Sequence, residues 1–227
     1  MPNCILCHIE KTYTSSICRL CLVELPWNIH YCQQCALPST DGIVDSCSKC
    51  INTSPLFSEV RSAFCYHFPI NRLITTFKDK GNLPLGKCLA RLLAQSLLDG
   101  PSLQHNPPEI LLPVPSHPKS VNQRGYNPAH VIAKFLAKKL SIPMANDLLI
   151  KHKHSSEQKS LTASERQVNL KNTFSTSKKG ALALPNYYRV ALIDDIVTTG
   201  STANALAEVL LRAGVKDVVV WCVARTP

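Results

Sequence analysis

The chain has 227 residues, of which 45% are hydrophobic and 18% charged, and its formal net charge is +10. This composition excludes a disordered or fibrous chain, and no apolar run approaches the roughly 20 residues that a membrane-spanning helix needs. The first residues lack the basic segment and apolar core of a secretory signal, so we expect a cytoplasmic protein without membrane insertion.

The positive charge is concentrated in the middle of the chain. Residues 119–179 contain 12 basic and 3 acidic residues, whereas the acidic residues slightly outnumber the basic ones in residues 1–56. A basic segment of this density favours an anionic partner, and a solvated surface that keeps the protein soluble is the alternative.

Four CxxC pairs before residue 51 form a short internal repeat: Cys4/Cys7, Cys18/Cys21, Cys32/Cys35 and Cys47/Cys50. A CxxC turn directs two thiolates at one point, and a second turn completes a tetrahedral Zn²⁺ site. The eight thiols therefore predict two closed structural zinc sites, with His8 and His30 as alternative ligands. A disulfide framework would instead need an oxidising compartment. Loop-closure entropy slightly favours pairing the first two and the last two CxxC turns over pairing alternate ones, so both pairings stay open.

The repeat stops near residue 55, where we predict a boundary between a zinc module (1–55) and an α/β domain (56–227). Strands alternate with amphipathic helices in the second part, which predicts a parallel sheet. The predicted strands are 60–68, 109–115, 187–193 and 215–225, and the predicted helices are 69–81, 83–100, 127–143 and 202–214. We expect a loop over 101–108 and, over 148–174, a mobile loop with a short helix near 164–169.

The stretch "RVALIDDIVTTGST" places two carboxylates, Asp194 and Asp195, after an apolar strand. The following segment, Thr198–Thr202, is called the hydroxyl loop; its residues are Thr198, Thr199, Gly200, Ser201 and Thr202. A glycine that admits backbone amides, followed by a helix N-terminus, is typical of a phosphate cradle. Carboxylates beside a phosphate suit a ligand that also offers hydroxyls or a divalent cation, such as a sugar phosphate.

"VALIDDIVTTGST" resembles the phosphoribosyl pyrophosphate (PRPP) signature of type I phosphoribosyltransferases. The segments "PVPSHPKSVNQRGYNPAHVIA", "QKSLTASERQVNLKNTF" and "FKDKGN", together with the CxxC array, resemble the ComF competence family. The resemblance covers almost the whole chain. It implies an α/β fold with a type I phosphoribosyltransferase-like parallel sheet flanked by helices, behind a small N-terminal Cys4 zinc module.

The resemblance also implies roles for individual residues. Asp194 and Asp195 would hold the ribose hydroxyls of Mg²⁺-PRPP, and the hydroxyl loop would bind its 5-phosphate. Candidate cations for the pyrophosphate are Lys119, Arg124 and Lys78, and the segment 158–166 matches a flexible flap. Tyr126 and Pro128 depart from the family pattern, which has Phe and Gln there. We expect Pro128 to begin a helix, with Asn127 as its N-cap.

Two functions follow from this resemblance. One is a PRPP-binding protein that handles incoming single-stranded DNA during natural transformation, with a competence helicase or other DNA-uptake proteins as further partners. The other is an active phosphoribosyltransferase with a nitrogen acceptor. The zinc module occupies the chain position where such an enzyme carries its base-reading hood, which favours the first function. The sequence indicates no general base, so the catalytic residues stay unknown.

Overall fold

The computed structural model of the protein describes residues 3–12, 16–152 and 173–227. The helices in these ranges are α1 (Arg19–Val23), α2 (Ser48–Asn52), α3 (Ile70–Lys80), α4 (Leu83–Asp99), α5 (Pro101–His105), α6 (Pro118–Arg124), α7 (Pro128–Leu140), α8 (Lys178–Ala183) and α9 (Ser201–Arg212). None of them has both the length and the apolar character needed to cross a bilayer.

Four parallel strands form the central sheet in the order β1-β6-β5-β2. Their bounds are β1 (Glu59–Cys65), β2 (Ile110–Pro113), β5 (Arg189–Val197) and β6 (Asp217–Arg225). Leu192 of β5 lies opposite both Val220 of β6 and Leu112 of β2. The strands are almost continuously apolar because helices cover both faces of the sheet. A separate antiparallel pair consists of β3 (Leu149–Lys151) and β4 (Phe174–Thr176).

The core lies on both faces of the sheet. On one face, α3, α4 and α7 bury side chains such as Phe77, Leu93 and Leu136 against Trp221. On the other face, α9 buries Leu206 and Leu210. Both faces are thus occupied, which leaves the edges and the carboxyl ends of the strands available for other contacts.

The N-terminal module straddles strand β1. Residues of its first half, including Cys4 and Cys18, belong to the core beneath α3 and α4, whereas Cys32, Cys35 and Cys50 belong to the opposite core. Between the two halves, residues 26–34 form hydrogen bonds with backbone groups on the free edge of β1. The amide of Cys65 donates to the carbonyl of Pro26 at 2.8 Å, and the Trp27 and Phe64 rings lie 4.5 Å apart. This covered edge is protected from pairing with another chain.

The predicted fold class, a parallel α/β sheet flanked by helices with N-terminal cysteine clusters, is confirmed. The four predicted strands and the four long helices are present with shifted ends. The boundary near residue 55 stays a prediction.

Other local predictions were wrong. Residues 101–105 form α5 instead of a loop. Residues 149–151 form β3 although their sequence has only weak periodicity, because they pair with β4. Residues 118–124, to which no helix was assigned from the sequence, form α6. Strand β5 continues through the two aspartates to Val197 because Ile196 and Val197 still pair with β6. The predicted short helix near 164–169 lies outside the described residues.

Candidate functional site

Asp194 and Asp195 lie near the carboxyl end of the central strand β5, where open parallel sheets bind ligands. Their carboxylates bind local amides: Asp194 Oδ1 accepts from the amide of Asp195 and Asp195 Oδ1 accepts from that of Ile196, both at 2.9 Å. The Nζ of Lys78, in the last turn of α3, lies 2.7 Å from Asp195 Oδ2. The pair of carboxylates therefore already holds one cationic group.

The two carboxyl groups differ in their surroundings. Burial first, and then the charge of Asp195, raise the pKa of Asp194 well above its usual range, while Lys78 acts to lower it. Two adjacent carboxylates cannot both be charged at low cost in a protein interior without a cation. The arrangement therefore suits a ligand that brings a metal ion or hydroxyl donors to these oxygens.

The hydroxyl loop is shaped by Gly200, whose φ of 80° lies in the left-handed region and which caps α9. The Thr199 hydroxyl lies 2.7 Å from that of Ser201 and accepts from the Ser201 amide at 3.3 Å. No described residue accepts a hydrogen bond from the amide of Thr199 or Gly200. Two free amides and the positive end of a twelve-residue helix are what an anion requires.

Two side chains from outside the loop hold its carbonyl groups. Lys49 Nζ donates to the carbonyl of Thr199 at 3.0 Å, and the Arg225 guanidinium contacts the carbonyl of Thr198. In a trans peptide group the carbonyl oxygen and the next amide hydrogen point in opposite directions. Fixing these two carbonyls therefore turns the amides of Thr199 and Gly200 to the opposite side of the loop.

A cavity of about 240 Å³, here called the acidic cavity, lies beside the two aspartates. It brings together four groups of predicted site residues: the aspartates, Thr202, Lys78 and Arg124. The cavity is also lined by polar residues to which the sequence analysis gave no binding role. Four of them lie in the segment around Lys119 and Arg124, and the fifth is distant along the chain: Ser116, His117, Ser120, Asn127 and Lys151. The acidic cavity thus combines carboxylates, hydroxyls and three basic side chains.

The remaining predicted site residues lie elsewhere. Thr199, Gly200 and Ser201 line a larger cavity of about 540 Å³, here called the inter-module cleft, between α2 and α9. Thr198 and Lys119 are exposed and line neither cavity. The hydroxyl loop therefore lies between the acidic cavity and the inter-module cleft. Residues 158–166, the predicted flap, are outside the described ranges.

The two residues that depart from the family pattern, Tyr126 and Pro128, stabilise the ends of helices next to the site. Pro128 is the first residue of α7, and the Asn127 side chain accepts from the amide of Ala129 at 3.0 Å, as the sequence predicted. The Tyr126 hydroxyl donates to the carbonyl of Phe77, the residue before Lys78. A phenylalanine in place of Tyr126 lacks this hydrogen bond, so the tyrosine anchors the end of α3.

The eight cysteines form two groups, in each of which the sulfur atoms lie within 4.8 Å of one another: Cys4, Cys7, Cys18 and Cys21 (the first Cys4 cluster), and Cys32, Cys35, Cys47 and Cys50 (the second Cys4 cluster). Sequential pairing is thus confirmed. Cys7 Sγ lies 3.9 Å from Cys18 Sγ, and Cys35 Sγ lies 3.7 Å from Cys47 Sγ. A tetrahedron with Zn–S bonds of about 2.3 Å has edges of about 3.8 Å, so both clusters fit zinc.

The surroundings of the first Cys4 cluster shift the pKa values of its thiols in opposite directions. Burial acts to raise the pKa of Cys4, but the backbone amides of Cys18 and Cys7 outweigh it and lower the pKa to about 6. Burial and the neighbouring thiols raise the pKa of Cys21 to about 12. Four sulfur atoms this close cannot all ionise alone, and a divalent cation supplies the missing charge.

No family model matches the chain. The chain is 33% identical to Competence protein F of Haemophilus influenzae, over 98% of this chain and 96% of that protein. It is 30% identical to DNA utilization protein YhgH of Salmonella typhi, again over 98% and 96%. The chain belongs to the ComF family of competence proteins. Another ComF relative, Competence protein ComFC of Bacillus subtilis, is 26% identical over 90% of this chain and 75% of its own length.

The solved structures that this ComF-family chain resembles include phosphoribosyltransferases. An adenine phosphoribosyl transferase from Trypanosoma brucei matches with a TM-score of 0.39 and 12% identity, over 66% of this chain and 68% of that chain. The allosteric regulatory enzyme of purine biosynthesis matches with a TM-score of 0.39 and 20% identity, over 60% and 25%. At these TM-scores the ComF site has to be interpreted from its own residues.

We predict that Lys78→Met destabilises the protein by about 1–3 kcal/mol, because it leaves the Asp195 carboxylate buried without its cation. The Asp195 side chain is only 9% exposed, against 26% for Lys78. Urea denaturation of the single variants and of the Lys78→Met/Asp195→Asn double variant measures the coupling. The control is Lys80→Met, an exposed lysine at the end of the same helix. Equal losses in Lys78→Met and Lys80→Met would contradict the ion pair.

We also predict a pH-dependent effect of Asp194→Asn. A carboxyl whose folded pKa exceeds its unfolded value of 3.8 binds its proton more tightly when folded. Its contribution to stability is therefore present below pH 3.8 and is lost as the pH rises towards the folded pKa. Asn cannot ionise, so the variant's stability relative to the wild type should increase with pH, by up to about 1.4 kcal/mol per pH unit. Urea denaturation from pH 5 to 9 tests this. A difference that does not change with pH would refute it.

Proposed function

We propose that this protein binds Mg²⁺-PRPP in the acidic cavity and acts in natural transformation, in the cytoplasmic handling of incoming single-stranded DNA. The observation that most directly supports PRPP binding is the position of Asp194 and Asp195 beside a loop with two free amides. Carboxylates accept the ribose hydroxyls, while amides and helix dipole bind the 5-phosphate. Asp194 and Asp195 would hold Mg²⁺ when it is bound, and the ion would supply positive charge that offsets these carboxylates and the diphosphate.

The other end of the ligand meets basic side chains. Lys78, Arg124 and Lys151 line the acidic cavity and supply the positive charge for a pyrophosphate group. Lys151 is held by the face of the Phe174 ring, with its Nζ 5.4 Å from the ring centroid. Lys119, on the exposed side of α6, remains a candidate for the same role.

The DNA-handling part of the proposal has two supports. The relatives named above are two competence proteins and a DNA utilization protein, which suggests the same process for this chain. The basic segment between residues 119 and 179 includes three exposed lysines on α7: Lys134, Lys138 and Lys139. Exposed lysines on one helix can follow a nucleic-acid backbone without reading its sequence.

Phosphoribosyl transfer to a nitrogen acceptor is the second candidate function. The free amides, the carboxylates and the basic side chains would bind the ribose and the pyrophosphate of PRPP in either function. They therefore do not distinguish PRPP binding from phosphoribosyl transfer. Among the described residues that line the acidic cavity, however, none is Phe, Tyr or Trp, so an acceptor base finds no aromatic ring to stack on. Release of pyrophosphate from PRPP that depends on an added nitrogen base would establish transfer.

We predict that Asp195→Asn weakens PRPP binding about 10- to 100-fold, since a hydrogen bond to a charged acceptor contributes about 1.5–3 kcal/mol. Isothermal titration calorimetry with PRPP in Mg²⁺, and with PRPP and excess chelator of Mg²⁺, measures the affinity. The matched control is Asp147→Asn, which removes an exposed carboxylate paired with Lys179. Wild-type affinity in Asp195→Asn, or no binding by the wild-type protein, would exclude this assignment.

We predict that single-stranded DNA binding depends steeply on salt. Each neutralised phosphate of a single strand contributes about 0.7 to the slope of log K against log salt. Replacing Lys134, Lys138 and Lys139 by Gln should therefore reduce that slope by about 2 if all three lysines contact phosphates. Fluorescence anisotropy with a labelled oligothymidine measures it.

The control triple variant, with Gln at Lys11, Lys87 and Lys216, removes the same charge from exposed positions outside the basic segment. We expect it to keep a slope nearer that of the wild type. Equal slopes in the two triple variants would show that the α7 lysines have no special role. No affinity for single strands at low salt would contradict DNA binding itself.

A further inference from the structure

The hydroxyl loop and the second Cys4 cluster are connected by a short path of contacts. Lys49, whose Nζ donates to the Thr199 carbonyl, lies on α2 between the cluster cysteines Cys47 and Cys50. Arg225 Nε donates at 2.9 Å to the carbonyl of Cys35, another residue of the same cluster. Both side chains that hydrogen-bond to the loop carbonyls are thus linked to the second Cys4 cluster. Lys49 is linked through the backbone, and Arg225 through a hydrogen bond.

The position of Lys49 depends on the cluster. Helix α2 has only five residues, too few to be stable alone, and two residues of the second Cys4 cluster belong to it: Cys47 is its N-cap and Cys50 lies at its centre. Metal coordination by these two thiolates would fix the helix and therefore the base of the Lys49 side chain. Without the metal, the helix loses this restraint, and the contact with Thr199 loses its support.

Arg225 forms the second connection from a buried position. Its side chain is among the few buried charged groups, with 3% exposure, and in the described part of the chain its partners are backbone carbonyls. These carbonyls belong to Val197 at the end of β5, Thr198 of the hydroxyl loop, Cys35 and Thr226. A shift of Cys35 would leave a buried guanidinium donor unpaired, which is costly, so the carbonyls of Cys35 and Thr198 are held together.

Among the described residues, a few hydrogen bonds cross the inter-module cleft. Besides Lys49 and Arg225, the amide of Leu56 donates to Asn204 Oδ1 on α9 at 2.7 Å. The cleft of about 540 Å³ otherwise separates α2 from the hydroxyl loop and α9. Buried side chains beside the second Cys4 cluster, such as Cys50 and Phe57, share a hydrophobic core with α9, but the described hydrogen bonds to the carbonyls of Thr198 and Thr199 come from Arg225 and Lys49.

We propose that Lys49 and Arg225 are positioning residues that orient the hydroxyl loop from the second Cys4 cluster, so that metal binding at this cluster and anion binding at the loop are coupled. They hold the carbonyls of Thr198 and Thr199 on the side of the cleft and present the amides of Thr199 and Gly200 on the side away from it. The first Cys4 cluster packs in the opposite core and has no such connection in the described residues. The consequence for PRPP affinity rests on the function proposed above, whereas the consequence for the loop itself does not.

Two matched variants test the coupling in the full-length, zinc-loaded protein. Cys47→Ser removes a ligand of the second Cys4 cluster, and Cys7→Ser removes one of the first; zinc content by mass spectrometry should fall from two to one in each. Two amides report on the loop because their hydrogen bonds depend on its geometry: Ser201, which donates to Thr199 Oγ1, and Asn204, which donates to the Gly200 carbonyl. The hydrogen–deuterium exchange of these loop amides, called loop exchange, should become at least about 10-fold faster in Cys47→Ser and stay near the wild-type rate in Cys7→Ser. PRPP affinity should fall about 10-fold in Cys47→Ser only.

A third variant separates positioning from loss of metal. Lys49 is exposed, so Lys49→Met should fold and keep two zinc ions, yet should show faster loop exchange and weaker PRPP binding. Lys11→Met, an exposed lysine of the same module, is its control. If Cys47→Ser unfolds, Lys49→Met decides the question. Unchanged loop exchange in Lys49→Met, with zinc retained, would overturn the proposal.

Reciprocity gives an independent measurement. If zinc strengthens PRPP binding, PRPP must strengthen zinc binding by the same factor. PRPP should therefore reduce the fraction of zinc transferred at equilibrium to a coloured chelator in Cys7→Ser, where only the second cluster is loaded, and have no effect in Cys47→Ser. If the wild-type protein binds no PRPP, the proposed function fails, but the exchange rates of the loop amides still decide whether the cluster positions the loop.

Discussion

The fold depends on the way the cysteine module straddles the edge strand β1. Its first Cys4 cluster packs into the core on one face of the sheet and its second cluster into the core on the other. Between them, the chain supplies the hydrogen bonds that β1 lacks on its open edge. A segment of this length cannot bury enough apolar surface to fold alone, so metal coordination and the sheet must stabilise it together. For this reason the module is in a position to influence the site at the ends of the strands.

The same sheet creates the electrostatic problem of the site. Successive residues of a strand point to opposite faces, so Asp194 and Asp195 have different neighbours although they are adjacent. Lys78 compensates one carboxylate, while burial raises the pKa of the other. Lys78 thus compensates only part of the negative charge of the two carboxylates. Binding a metal ion or several hydroxyls would correct this imbalance, which makes the site selective for ligands that bring such groups.

The sequence predicted what depends on local pattern. Alternating apolar strands and helices, the Asn127 cap with Pro128, and the order of carboxylates and hydroxyl loop are all readable within about ten residues. Short helices such as α5 and α6 were missed because five to seven residues are too few to show a helical periodicity. Lys151 escaped notice because the strand pairing that brings it to the cavity joins distant segments. The contact between Lys49 and Thr199 spans 150 residues, so no local signal announces it.

Arg225 shows most clearly how distant residues define the character of the site. A buried guanidinium is normally paired with a carboxylate, because its desolvation is costly. Here its described acceptors are neutral carbonyls, so its positive charge is not cancelled and adds to the dipole of α9 behind the hydroxyl loop. Negative potential at the aspartates and positive potential at the loop are therefore produced side by side. A ligand with a phosphate at one end and hydroxyls or a metal ion next to it matches this field, whereas a simple anion or a simple cation matches only half of it.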